Sequence, residues 1–136
     1  MANQITVQKL VNVPLEKVWD YWTRPEHIIH WNFASPDWHS PRAENDLRVG
    51  GKFSYNMAAK DGSMSFDFGG SYTNIKHLQQ IDYTIGDGRK VSVTFSREGS
   101  GTQVTEVFEA EQVHSHELQR NGWQAILDNF AAYTEG

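Results

Sequence analysis

The sequence predicts an α+β fold: a curved antiparallel sheet of about six to seven strands around a long carboxy-terminal helix, with two short helices after the first strand. Three observations carry that prediction. From Ser115 to Glu135, the residues Leu118, Trp123, Ile126, Leu127, Phe130 and Tyr133 recur at spacings of one to five and share one broad helical face, which must be buried. Between residues 52 and 112, apolar and polar side chains alternate in runs separated by Asp61-Gly62, Gly86-Asp87-Gly88 and Glu98-Gly99-Ser100-Gly101, the pattern of consecutive hairpins. Strands and helices do not alternate along the chain, so parallel crossover units are excluded and the last helix is left to cover one face of the sheet.

In chain order, Ile5 and Val7 alternate with Gln4, Thr6 and Gln8 as a strand over residues 4–11. Asn12-Val13-Pro14 ends it. Pro14 is expected at the first position of a helix that Leu15, Val18, Trp19 and Trp22 carry to Thr23. Arg24-Pro25 breaks that helix and opens a shorter one carrying His27, Ile28, Ile29 and Trp31. Asn32 to Pro41 holds Phe33, Pro36 and Trp38 and is expected to form an ordered loop. Phe53, Tyr55 and Met57 mark the next strand. Met64, Phe66 and Phe68 mark another, with Gly69-Gly70 expected as a bulge before Ser71 to Ile75 continue it. Ile81-Tyr83-Ile85, Val91-Val93-Phe95 and Val104 to Gln112 complete the ladder. Ser115 is placed to cap the last helix, and Gln119, Arg120, Gln124, Asp128 and Asn129 are expected on its wet side. Gly122 costs that helix about 1 kcal/mol relative to alanine. It reads either as a close approach of helix backbone to sheet or ligand, or as incidental to ordinary helix-on-sheet packing.

The 136 residues, 38% hydrophobic, fit one domain over 1–136. Twelve basic against seventeen acidic side chains leave a net charge of -5, the wrong sign for a phosphate-binding surface, so no nucleic acid is expected as a partner. Cysteine is absent, which excludes a disulfide framework, a thiolate zinc site and a catalytic thiol. No eighteen consecutive residues are apolar, so no membrane span is expected. Met1-Ala2-Asn3-Gln4 lacks the basic start and apolar run of a leader, and a cytoplasmic protein is expected.

Chemistry-bearing residues form no strong constellation. His27 and His30 lie three apart on a helix, but spacing fixes no third ligand, and solvated histidines are the better reading. His114 and His116 read as surface or capping residues. Asp37 and His39 with Ser35 or Ser40 share one short loop without a nucleophile elbow. The glycine pairs at 50–51 and 69–70 lack the pattern of a phosphate loop. No catalytic residue, metal or cofactor is expected. The informative group is aromatic: five tryptophans, five tyrosines and seven phenylalanines exceed what a minimal core needs. Trp31, Phe33 and Trp38 come from the second helix and the loop after it. Phe53, Tyr55, Phe66, Phe68 and Tyr72 come from strands, and Trp123, Leu127 and Phe130 from the last helix. These are the candidate lining of a cavity, with Asp67 or Arg48 as orienting polar groups. Strand phase leaves both faces open here: if Phe66 and Phe68 point in, Asp67 points out.

Several stretches together resemble a known family. They are the opening strand, Asn12-Val13-Pro14-Leu15-Glu16-Lys17-Val18-Trp19, Asp46-Leu47-Arg48-Val49-Gly50-Gly51, the Asp61-Gly62 hairpin, Gly70-Ser71-Tyr72 with Ile75, Val93-Thr94-Phe95, and the helix from Asn121 to Phe130. The order and spacing are similar to the START-like (SRPBCC) superfamily, and within it to small bacterial proteins related to the activator of Hsp90 ATPase. The resemblance spans essentially the whole chain. It implies a helix-grip fold with an apolar cavity that takes a small hydrophobic, aromatic or lipid-like molecule, for sensing, transport or a stress response. It also implies two alternatives, a cyclase- or hydrolase-like enzyme using the cavity and a regulator linked to the chaperone Hsp90, since fold alone does not select among them. Members often carry Trp-Trp-Gly-Pro after the second helix. This sequence has Trp31-Asn32-Phe33-Ala34-Ser35-Pro36, so a cavity mouth of different shape is expected. No residue pattern points to a particular protein partner or oligomeric state.

Overall fold

Seven strands form one antiparallel sheet whose first strand returns to pair with the last. The computed structural model describes residues 3–136; Met1 and Ala2, part of the terminus read above as carrying no leader, lie outside the described residues. The elements are β1 (Gln4–Val11), α1 (Leu15–Thr23), α2 (Pro25–Ile28), β2 (Trp38–Asn45), β3 (Lys52–Ala59), β4 (Ser65–Lys76), β5 (Gln80–Ile85), β6 (Lys90–Glu98), β7 (Gly101–Glu109) and α3 (His116–Glu135). The sheet order is β1-β7-β6-β5-β4-β3-β2. Period-two alternation sends Ile5 and Val7, Val91, Val93 and Phe95, and Val104 and Phe108 to one face, where all are at most 5% exposed. The sheet curls around α3. Register shifts at His39/Arg42 in β2 and at Tyr72/Asn74 in β4 supply local bends of the kind curvature requires.

α1 and α2 close one end of this trough. Trp22 lies 5.9 Å from Phe95 and 4.9 Å from Phe130, both edge-on, and Trp31 stacks on Trp22 at 5.0 Å. These contacts join the helical clip to β6 and α3. Asn129 Nδ2 donates to the Phe33 carbonyl, and Gln124 Nε2 donates to the Gln8 carbonyl at 3.2 Å, tying α3 to the segment after α2 and to β1.

Five details differ from the sequence expectation. Trp38 to Pro41 belongs to β2, an edge strand paired with β3, because Pro41 falls at the register shift and no ladder donor is lost there. Pro14 is the extended residue just before α1, and the proline at a helix start is Pro25. α2 ends at Ile28, and Trp31 follows it in a turn. Gly69 and Gly70 are in regular register with Ser54 and Phe53; glycine is needed because a Cβ at Gly70 would lie 2.3 Å from the Thr84 carbonyl oxygen, and the bulge falls instead at Tyr72/Asn74. At the start of α3, Ser115 Oγ accepts from Leu118 N–H at 3.1 Å as a cap, but Leu118 is exposed and Gln119 is buried. The Gln119 amide accepts from the Glu111 N–H at 2.9 Å and donates to the His114 carbonyl at 2.9 Å, satisfying backbone groups of the incoming loop that burial would otherwise strand.

Candidate functional site

Where α3 crosses the curled sheet, the two surfaces do not meet fully and enclose a cavity of about 330 Å³. Its roof is one stripe of α3: Gly122, Trp123 and Ile126. Its floor is the inward phase of β3, β4 and β5, from Phe53, Tyr55 and Met57 through Phe66, Phe68 and Tyr72 to Ile81 and Tyr83. Trp22, Trp31, Asn32 and Ala34 close the end formed by the helical clip. The aromatic side chains hold one another in place. Trp123 stacks on Phe108 with ring centroids 3.9 Å apart and planes 9° apart, and Phe53 meets Tyr83 edge-on at 4.9 Å. A Cβ built at Gly122 meets nothing within 4 Å, so this glycine borders open space rather than a closely approaching sheet. Gly122→Ala is therefore expected to stabilise the fold by about 1 kcal/mol through helix propensity alone, measured as a raised denaturant midpoint at unchanged m-value.

Polar groups in this apolar lining are few. Glu106 on β7 faces Val7 of β1 and Val93 of β6 across the ladder and is 5% exposed. Burial alone pushes its carboxyl up from 4.5 to about 8, with neither a cation nor a hydrogen-bond donor to offset the loss of water. The acid is thus mainly protonated at neutral pH. Asn32 is 6% exposed, and its side-chain Nδ2 is buried with no hydrogen-bond partner. Arg89 reaches the cavity wall, but its guanidinium is engaged by Asp87 at 2.8 Å and by the Glu109 carbonyl at 3.2 Å. Burial pushes the phenols of Tyr55 and Tyr83 well up, and that of Tyr72 to about 12. The Tyr72 hydroxyl donates to Asn45 Oδ1, and Asn45 Nδ2 donates to the Thr23 carbonyl at 2.7 Å.

Of the residues singled out from the sequence, Trp31, Phe53, Tyr55, Phe66, Phe68, Tyr72 and Trp123 surround this space. Leu127 and Phe130 lie one helical step away, fully buried in the core, and Phe130 packs edge-on against Trp22 and Trp31. Phe33 contributes its carbonyl to Asn129, and Trp38 lies 5.9 Å from Phe66 on the edge strand; neither lines the cavity. Because Phe66 and Phe68 point in, Asp67 points out, where it meets Arg42 at 3.5 Å, and Arg48 pairs with Asp46 at 2.8 Å on the surface. Neither orients anything in the cavity. Sequence reasoning missed Asn32, Tyr83 and Glu106. The signal for Glu106 was its phase, since it shares parity with Val104 and Phe108, but Val107 blurred the alternation. His27 Nδ1 lies 2.8 Å from the Tyr133 hydroxyl with its ring stacked on Tyr21, and the Ser40 hydroxyl donates to the Asn56 carbonyl at 2.8 Å. Among the described residues no helix is long and apolar enough to cross a membrane.

Comparison with known proteins adds the family. The model of the family described as Activator of Hsp90 ATPase homolog 1-like protein matches residues 12–135. The solution structure of an AHSA1-like protein from Aeromonas hydrophila is 44% identical with a TM-score of 0.93, covering 98% of this chain and 92% of that one. Chr148 from Cytophaga hutchinsonii is 55% identical with a TM-score of 0.84, covering 97% and 92%. Protein CV1439 from Chromobacterium violaceum, at 23% identity and a TM-score of 0.85 over 98% and 99%, shares the fold. No curated protein matches. The matched span, the helix-grip architecture and these two similar structures together place the chain in the Activator of Hsp90 ATPase homolog 1-like family, within the START-like superfamily.

Proposed function

We propose that the protein binds a small, largely apolar or aromatic molecule between the sheet and α3. One observation carries this reading: aromatic side chains ring about 330 Å³ of space that a packed core would fill, and protein interiors tolerate few voids larger than a water molecule. That volume falls at the lower end of the range for small-molecule pockets, about 300–1,000 Å³. The test is a panel of fatty acids, flavonoids and polyketide-like aromatics followed by tryptophan fluorescence, which reports directly because Trp22, Trp31 and Trp123 all line the space. At least one compound is expected to bind well below 1 mM, about -4 kcal/mol. If every compound is weaker than that, the space is a packing defect and the reading fails.

Glu106 favours a second reading, an acid–base enzyme acting on a cavity-bound substrate. A buried carboxyl that keeps its proton at neutral pH is suited to general-acid work. Incubating each binder with the protein and following its mass and absorbance separates the readings. Conversion that Glu106→Gln abolishes supports the enzyme, and binding without conversion supports the carrier or sensor.

A further inference from the structure

A buried carboxyl faces the cavity without a hydrogen-bond partner among the described residues. Glu106 sits mid-strand on β7 between Val7 and Val93 and lines the same space. Asn32, which follows α2, also lines the space, but its unpartnered amide nitrogen has less than 1 Å² of accessible surface and does not open onto it. Buried polar groups without partners are rare and costly, and in a cavity the missing partner is naturally a ligand atom. The lining cation is already committed, since Arg89 holds Asp87 and the Glu109 carbonyl, so no free positive charge would meet an anionic ligand. Glu106 would oppose one.

We propose that the cavity selects a neutral apolar molecule bearing a carbonyl-type acceptor, held through the Glu106 carboxyl, and that it rejects carboxylates of the same shape. This deepens the ligand-binding reading above and rests on it. The proton on Glu106 makes that side chain a donor below about pH 8, so affinity for the neutral ligand falls once it ionises. The other titratable groups facing the space are Tyr55, Tyr72 and Tyr83, all held protonated beyond that range, and Arg89, whose guanidinium is engaged by Asp87 and the Glu109 carbonyl.

A matched set on one ring system tests this: 2-acetylnaphthalene, 2-ethylnaphthalene and 2-naphthoate, titrated into the protein and followed by amide chemical shifts. The ketone is expected to bind at least tenfold more tightly than either of the others, about the effect of one well-made hydrogen bond. Glu106→Leu should erase most of that preference, read as the ratio of ketone to 2-ethylnaphthalene affinity within the variant. Raising the pH from 6.5 to 9.5 should weaken ketone binding severalfold in the wild type and leave it flat in Glu106→Gln, which keeps a donor that cannot ionise. Glu106→Gln is also the fallback should a leucine variant fail to fold. Equal binding of ketone and hydrocarbon, or naphthoate binding as tightly as the ketone, would overturn the polar selection while the cavity reading stands. If none of the three binds while a compound of the panel does, the polar selection falls and the cavity reading stands; if nothing in either set binds, both fall.

Discussion

Between pH 5 and pH 8 the wild-type protein is expected to lose several kcal/mol of stability, and Glu106→Gln to lose almost none. The folded state holds a proton on Glu106 up to about pH 8, whereas the unfolded chain releases it near 4.5. Across that window the folded state binds more protons, so stability is greatest below 4.5 and falls as pH rises through the folded value. At about 1.4 kcal/mol per tenfold change in proton activity, the interval bounds the effect at about 5 kcal/mol. Glu16, Asp61, Asp82, Asp87 and Glu111 act in the opposite sense: burial pushes the Asp82 and Asp87 carboxyls up but hydrogen bonds and nearby cations outweigh it, and hydrogen bonds hold those of Glu16, Asp61 and Glu111 low. Their contribution is present above the ordinary carboxylate range and disappears only in acid, outside the window. Urea midpoints at pH 5, 6.5 and 8 on both proteins measure the difference. A flat wild-type profile would mean that Glu106 ionises at little cost and is no neutral donor.

Phe130→Ala should cost about 3–5 kcal/mol, the usual loss for a large aromatic in a packed core. Phe130 is 0% exposed and braced by Trp22 and Trp31, so little nearby can collapse into the gap. Trp123→Ala should cost less. Trp123 stacks on Phe108 and also borders the cavity, so removing the indole enlarges a space that already exists. Ligand affinity should fall in that variant while the protein stays folded. Denaturant midpoint and ligand affinity measured on both variants separate the roles. A Trp123→Ala protein as damaged as Phe130→Ala, with unchanged affinity in its folded fraction, would reassign Trp123 to the core.

The architecture was legible because it is written in long, redundant periodicities. One helical stripe and successive alternating runs specify α3 and most of the sheet, and local errors of a residue or two do not disturb them. β2 was not legible, because Pro36 and Pro41 read as loop signals and an edge strand pairs on one side only, leaving room for a proline at its register shift. The cavity was half legible. Aromatic excess pointed to Trp31, Phe53, Tyr55, Phe66, Phe68, Tyr72 and Trp123, but Phe130 and Leu127 share their helix with Trp123, and composition cannot separate core from cavity wall on one stripe. The polar groups were illegible for a physical reason. Asp67 and Arg48 stand beside the aromatic strands in sequence and point away from them in space, whereas Glu106 arrives from the far side of the sheet and Asn32 from the turn after α2.

The claim on which the rest depends is that a small molecule sits between α3 and the curled sheet. Intermolecular nuclear Overhauser contacts from the tightest-binding compound of the panel test it most directly. The account predicts contacts to the Trp123 indole, the rings of Phe53, Phe68 and Tyr83, and the Gly122 α-protons. Contacts confined to the opposite, convex face, at Thr73, Ser92 or Val107, or to the exposed side chains of Val49 and Met64, would contradict it.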